Sequence, residues 1–547
     1  MTVAMDPIRI KELNTDNEFD VIIIGAGING AGVARDAAMR GLKVLLLDKD
    51  DLSAGTTSWS TRLIHGGLRY LEHGELSLVR ESLRERQTLM QIASHLVLPL
   101  AFQIPIYENH RRGPWTIRAG MILYDLLSFD KKLTRHRGLS RSDTLRQLPG
   151  LNPTNLLGSV IYYDGQVEFV ERLTLENVLS ARQHGAVVRT YSRIGGLRRR
   201  QGMIGVTIHD VLSDEHWDEL APVVINASGP WVDEFLNLAE IKSSRLIGGT
   251  KGSHLVVPPF RGAPRTAVYV EAQRDQRPIF IIPWNQKYLI GTTDIRFDGS
   301  LDRVEISEQE TAYLLEETNR LIPEAQLTTE SILFTYSGVR PLPFTRHKKE
   351  KSITRRHFVH EHPELPGLIS LVGGKITTYR SLAEETVDLC FRRMQRTQAR
   401  CLTASRNLPG APNMTRRELK SRSAEASERL FRIYGTRASE ILQLANRDRE
   451  LLEPFDSETG ALAAEIVYSF ENELARTLTD CLMRRTMVGL NSSCGLTAVS
   501  AAASIGRKHL GWSAEHAQRE VQNYLDYVQR FHPKAARLAP NWDRERP

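Results

Sequence analysis

"FDVIIIGAGINGAGVARDAAMRGLKVLLLDKDD", residues 19–51, is the stretch on which the fold turns. Val21 to Ile24 is an unbroken apolar run, the pattern of a strand buried on both faces. Gly25, Gly27 and Gly30 follow as G-x-G-x-x-G, and alanines at 31, 34, 37 and 38 mark a helix behind them. A second strand, "KVLLLD", ends at Asp48, 23 residues beyond Gly25. Glycines at this spacing let the backbone approach a pyrophosphate at a helix N-terminus, and the terminal carboxylate suits ribose hydroxyls. Strand, helix, second strand and acid occur in order, so a dinucleotide-binding βαβ unit is predicted. The motif alone does not separate FAD from NAD. Its place at the start favours FAD, because a flavoprotein usually begins with this unit and returns to the same ligand with most of its later chain.

Several later stretches are suited to that return. "VVINASGPWVDEF" (223–235) reads as a strand running into Gly229 and then a helix, a second backbone approach point. "KYLIGTTD" (287–294) is a strand ending in two threonines and an acid, and "TYSGVRPL" (335–342) offers Arg340 on a stiff Gly-to-Pro loop. "LISLVGGKITTYRSLAEETVDLC" (368–390) is a strand, a Gly-Gly turn, Lys375, two threonines and a helix whose N-terminus could aim its dipole at an anion.

A chain of 547 residues is too long for one core and should divide into two or three domains. The net charge of +7 fits acidic small-molecule substrates or an anionic membrane surface and argues only weakly for nucleic acid. Cys390, Cys401, Cys481 and Cys494 lie far apart, with no CxxC and no metal-type pairing, so reduced thiols and no metal are expected. No stretch approaches the roughly 18 apolar residues of a membrane-spanning helix. The first nineteen residues carry acids and lack the apolar run of a signal peptide. A soluble or peripheral protein is expected.

The motifs "IGAGINGAGVARDAAMRGLKVLLLDKDD", "LIHGGLRYLE", "KGSHLVVP", "IIPW", "IGTTD", "TYSGVRPL" and "GGKITTYRSLAE" together resemble the FAD-dependent glycerol-3-phosphate dehydrogenases of the aerobic, respiratory kind. They run in the family's order from residue 19 to about 400. "EIVYSFENELARTLTDCLMRRTMVG" (465–489) resembles the family's helical domain less specifically. One departure is Asp48, where relatives commonly carry Glu; either acid can hold a ribose. The resemblance implies an α/β architecture: a Rossmann-type FAD-binding domain, an interleaved, mainly antiparallel substrate domain, and a C-terminal α-helical domain. FAD-binding segments are expected at about 19–95, 170–240 and 365–400, substrate segments at about 96–169 and 241–364, and helices over 410–547.

The implied reaction moves hydride from C2 of sn-glycerol 3-phosphate to FAD, giving dihydroxyacetone phosphate, with electrons passed to a membrane quinone. An oxidase using O2 and releasing H2O2 is the alternative. The stretch "GTTSWSTRLIHGGLRY" (55–70) would line the flavin: Thr57, Ser58, Ser60 and Arg62 along the diphosphate and ribityl chain, Gly66 and Gly67 at the ring. With Gly25, Gly27, Gly30, Asp48, Gly229, Gly374, Lys375, Thr377 and Thr378 they form the expected cofactor set. A phosphate dianion needs forked cationic donors, for which Arg suits better than Lys. By resemblance, Arg69, Tyr70 and Arg340 form that clamp, with Arg355 near the substrate oxygens. His65 and His254 are the two candidates for the base, and Lys375 could hold positive charge near the developing alkoxide. The resemblance also implies a cytoplasmic enzyme peripheral on the cytoplasmic membrane, and admits a homodimer. Candidate membrane contacts are the apolar "LVLPLAFQIPIY" (96–107) and the basic–aromatic "HRRGPWTIR" (110–118).

Overall fold

The computed structural model describes residues 19–108, 110–129, 133–345, 356–412, 425–446 and 448–538. Its first sheet is parallel, in the order Val187–Arg189, Val44–Leu47, Val21–Ile24, Val223–Asn226, Leu368–Val372, with Phe358–Glu361 added antiparallel at the edge. The apolar run at 21–24 is explained by its two neighbours in depth. Val21 and Ile23, with Val44 and Leu46, face the helices Ile28–Met39, Val170–Gln183 and Tyr379–Arg393. Ile22 and Ile24, with Leu45 and Leu47, face Val232, Phe235 and the inward residues Ile204, Val206 and Ile208 of an antiparallel meander, Ser192–Ala221. Each such side chain contributes about 1.5–3 kcal/mol by leaving water. The helix Ile28–Met39 is rich in small residues because its neighbours press close: a Cβ on Gly32 would lie 2.6 Å from the Tyr379 ring.

The second sheet has ten strands and is antiparallel except where Ala267–Glu271 runs alongside Val97–Tyr107. Thr250–Val257 lies against both Lys287–Gly291 and Phe334–Arg340, and Pro278–Trp284 follows. This sheet packs over the carboxyl ends of the parallel strands and carries the other half of the site.

Three expectations are corrected. Residues 96–107 are not a continuous surface patch: Val97–Tyr107 is a strand paired along its length with Leu156–Val167, buried over Phe102–Tyr107 and partly exposed only at 98–101. Arg340 is not on a loop but ends the strand Phe334–Arg340, opposite Thr250. Gly338 is needed there because a Cβ would lie 2.8 Å from Trp59 Cβ. At the segment margins, Leu63–Ile64 joins the second sheet and Phe358–Glu361 joins the first, since a short turn folds it back on Leu368–Val372. We therefore propose that the domain segments change hands near residues 62 and 357.

The C-terminal part is mainly helical, with Glu425–Tyr434, Ala438–Ala445, Ala463–Asn472, Val499–His509 and Ala514–Val528 around one core. A two-stranded piece, Pro454–Asp456 with Ala461–Leu462, is its only sheet among the described residues. Buried ion pairs fasten it to the first domain. Arg172 meets Glu473 through both forks at 2.6 and 2.7 Å, and Asp51 is held by Arg485 at 2.8 and 2.9 Å and by Arg484 at 2.5 Å. Cutting one partner from such a pair strands a buried charge, at about 3–5 kcal/mol.

Candidate active site

A cavity of about 1100 Å3 opens between the parallel strand ends and the ten-stranded sheet. Gly25, Gly27, Asp48, Thr57, Ser60, Arg62, His65, Gly67, Tyr70, Gly229, His254, Arg340, Gly374, Lys375 and Thr377 all line it. Gly30, Ser58, Gly66 and Thr378 do not. Gly30 lets the helix sit on the strand, since a Cβ there would be 1.8 Å from the Gly25 carbonyl oxygen. Gly66 makes room for Tyr124, Ser58 donates to the Ser53 carbonyl, and Thr378 begins the helix Tyr379–Arg393. Arg355 and the Arg69 side chain lie outside the described residues.

At the nucleotide end, the helix Ile28–Met39 starts on Gly27 with no acid in its first turn. Its Ile28 N–H donates to Thr57 Oγ1 at 3.1 Å, and its positive end faces the cavity. Gly25 adopts φ +105°, and any Cβ there would meet the Ala227 carbonyl at 2.6 Å. Asp48 accepts from the N–H groups of Ala26 at 2.6 Å and Asp50 at 2.9 Å. Burial, then the charge of Asp50, pushes its carboxyl up to about 7. Ribose hydroxyls donating to it would favour the ionised form. Nearby, Asn29 Oδ1 is buried without a partner, beside Gly374. A helix start to which Gly27 gives no side-chain cap, a glycine cradle, a strand-end carboxyl lining the cavity and an orphaned amide oxygen together fit a dinucleotide such as FAD.

At the other end stand the cations and imidazoles. Arg340 donates to Asp294 Oδ1 at 3.1 Å, Thr292 Oγ1 at 3.0 Å and the Thr293 carbonyl at 3.3 Å. Gly252 leaves the space for its guanidinium: a Cβ would be 2.1 Å from Nη2. His254 is fully buried in mid-strand, across from Gly291 and Tyr336, with Nε2 3.0 Å from Thr61 Oγ1 and Nδ1 without a partner. Desolvation, then the charges of Arg340 and Arg62, hold its pKa well below the usual imidazole value, so it is neutral. His65 is half-buried and is positioned through its backbone, its N–H donating to Thr377 Oγ1 at 3.1 Å. Lys375 Nζ lies 3.8 Å from the Tyr70 ring centre and 3.4 Å from Ser82 Oγ. Arg62 spends its guanidinium elsewhere. It forks onto Glu171 at 2.7 and 2.8 Å and is wholly buried, so it builds the wall and carries charge toward His254.

Sequence reasoning missed three groups. Thr61 partners His254, and Asp294 with Thr292 anchors Arg340; both Thr292 and Asp294 stood in the quoted "GTTD", but nothing local said which arginine they meet. The third is the C-terminal domain, which supplies Thr477, Arg484, Tyr527, Arg530 and Phe531 to the cavity wall. The doublet "RR" at 484–485 was visible, but its partner Asp51 lies 434 residues from Arg485.

Residues 20–380 match the family of FAD dependent oxidoreductases, and 401–517 match the C-terminal domain of alpha-glycerophosphate oxidase. A glycerol-3-phosphate dehydrogenase of Synechocystis sp. is 47% identical over 532 residues, covering 93% of this chain and 96% of that one. One from Pseudomonas aeruginosa is 38% identical over 488 residues, covering 86% and 92%. Among solved structures, the glycerol-3-phosphate dehydrogenase from Bacillus halodurans complexed with FAD has a TM-score of 0.78 at 28% identity, covering 94% of this chain and 95% of that one. On these matches, the chain belongs to the FAD-dependent glycerol-3-phosphate dehydrogenase family.

Proposed function

We propose that this protein oxidises sn-glycerol 3-phosphate to dihydroxyacetone phosphate and passes the electrons to a membrane quinone. The observation that carries the reading is one cavity holding a nucleotide cradle at one end and Arg340 beside the neutral His254 at the other. FAD, when bound, supplies the acceptor for the C2 hydride. His254 takes the C2 hydroxyl proton at Nδ1, the nitrogen without a partner, while Thr61 orients the ring through Nε2. Arg340 receives the phosphate, and its tethers to Asp294 and Thr292 fix the direction of the guanidinium before substrate arrives. Lys375, held over Tyr70, keeps positive charge near the developing alkoxide. Gly25, Gly27, Asp48, Thr57, Gly229, Gly374 and Thr377 hold the cofactor. Anaerobic addition of glycerol 3-phosphate to the purified protein should bleach the flavin; an unchanged spectrum would reject the substrate.

Arg340→Met should lower kcat/KM toward glycerol 3-phosphate by roughly 10- to 100-fold, since a charge-assisted bond is worth about 1.5–3 kcal/mol and about 1.4 kcal/mol is tenfold. FAD content should hold, and trace activity on unphosphorylated glycerol should fall far less. Equal losses on both substrates would move Arg340 from the phosphate to the fold.

A quinone acceptor is favoured over oxygen by one surface. No described helix is long and apolar enough to cross a membrane. The helix Pro114–Leu127 nevertheless exposes Trp115 (80%) and Leu126 (64%), and Phe129 (78%) follows it. Arg80 lies 4.5 Å over the Phe129 ring, and Arg111 and Arg118 flank Trp115 in sequence. Aromatic and basic groups side by side suit an anionic bilayer surface. Sedimentation with phosphatidylglycerol vesicles should show binding at low salt that weakens as salt is raised and drops in Trp115→Ala/Phe129→Ala. Absence of binding at low salt, together with stoichiometric H2O2 in air, would favour the oxidase.

A further inference from the structure

The hairpin formed by Met203–Asp210 and Glu215–Ala221 contributes nothing to the cavity wall. Its inward residues Ile204, Val206 and Ile208 pack beneath the central parallel strands, and its outer face carries a group with no part in the chemistry above. His216 stands directly across from His209 in the antiparallel register. Their rings are stacked, 4.1 Å between centroids and 3° from parallel. Asp214, in the turn between the strands, reaches back so that its Oδ1 is 2.8 Å from His209 Nε2. One ligand atom from each of the three residues falls within a 4.8 Å span.

We propose that His209, Asp214 and His216 form a binding site for a divalent transition metal, of which Zn2+ is the type. Two imidazole nitrogens and one carboxylate are a borderline donor set, which selects Zn2+, Ni2+ or Cu2+ over the oxygen-seeking Mg2+ and Ca2+. Three protein ligands leave further positions to water. Two features of the fold prepare the chelate. Cross-strand pairing puts the two imidazoles at neighbouring positions on one face, so that a rotation of the rings out of their stack lets one nitrogen of each meet the ion. The turn is also shaped from within: Asp210 accepts from the N–H groups of Leu212 and Ser213 at 2.9 and 3.1 Å, its carbonyl accepts from Asp214 N–H at 2.8 Å, and Arg476 of the C-terminal domain holds its carboxylate at 2.6 Å. The backbone that carries the exposed Asp214 side chain is therefore held in place. Arg193 is the cation that shares this cross-strand row, opposite His209, and its charge tempers the affinity. Asp218, on the same face, is already engaged by Thr207 and Arg198. A bound metal would staple the hairpin that underlies the nucleotide-binding strands. The spacing H-x4-D-x-H in "HDVLSDEH" is no metal motif along the chain, because the ligands converge only when the hairpin closes.

The test is calorimetric titration of Zn2+ into chelator-washed, FAD-loaded enzyme, with hydrogen exchange read over 203–221. The unaltered protein should bind one more Zn2+ per chain than His209→Ala/His216→Ala. Each single variant, and Asp214→Asn, should weaken that site at least about 10-fold, the lower bound seen even for outer partners of a metal ligand. Exchange over the hairpin should slow with Zn2+ only when both histidines are present. Flavin content and turnover should be unchanged, which shows that the variants fold. Identical isotherms for the unaltered and double-variant proteins would overturn the site. So would a loss at His209→Ala without one at His216→Ala, or competition by Mg2+ at equal concentration.

Discussion

Replacing His254 by asparagine should cut kcat/KM toward glycerol 3-phosphate by about 100- to 10,000-fold, the usual worth of a positioned general base. Asparagine is close to histidine in size and can keep a hydrogen bond to Thr61, so the strand Thr250–Val257 and its pairing with Gly291 and Tyr336 should survive. FAD should remain bound, because none of the groups that cradle it depends on this ring. The pH profile supplies a second, independent check. A base works deprotonated, and His254 has its pKa lowered by burial first, then by Arg340 and Arg62. The neutral form therefore persists as pH falls past the ordinary imidazole value of about 6.5, and the acid limb of kcat/KM should lie below it. Removing the Arg340 charge removes one of those causes, so Arg340→Met should move the same limb upward. An unshifted limb in Arg340→Met, or a mild effect of His254→Asn beside a severe one of His65→Asn, would transfer the role of base to His65.

Gly27→Val should abolish flavin binding while leaving the protein folded. The three glycines of the first turn differ in what surrounds them. A Cβ on Gly25 or Gly30 would strike backbone, at 2.6 Å and 1.8 Å, so substitution there breaks the fold. Gly27 has φ −69° and ψ −179°, which any residue adopts, and its Cβ would meet only Thr57 Oγ1 at 3.2 Å. A valine at this position is accepted by the chain but points its methyls at the start of the helix Ile28–Met39, where the pyrophosphate must approach. The expected outcome is a colourless protein with unchanged far-ultraviolet circular dichroism and an unchanged response of the apo form to heat. A yellow, fully loaded Gly27→Val protein would remove the pyrophosphate from this turn and with it the assignment of the 25–48 unit.

How much of this was legible in advance depends on the reach of the interaction. The βαβ unit could be read from residues 19–51 alone because each of its causes is local: an unbroken apolar run, glycines at fixed offsets, an acid at a strand end. The strand at 287–291 was readable for the same reason, as a short apolar and aromatic run before a turn, while the antiparallel character of its domain came from the resemblance. Local reading failed where the environment is assembled from afar. "LVLPLAFQIPIY" is as apolar as a membrane contact would be, yet it is a strand of the second sheet whose Phe102–Tyr107 half is buried. Arg62 looked like a ligand to the cofactor until Glu171, 109 residues on, claimed its guanidinium. The state of His254 is the clearest case. Its sequence context, "GSHLVVP", shows a histidine in a strand and nothing of its charge. Its neutrality comes first from the exclusion of water between two sheets and then from the charges of Arg340 and Arg62, brought up by the fold. The residues and their spacing determined by themselves that the chain could cradle a dinucleotide. Only the tertiary structure decided which charges face one another in low dielectric, because electrostatic energies depend on distance and burial, which sequence separation does not measure.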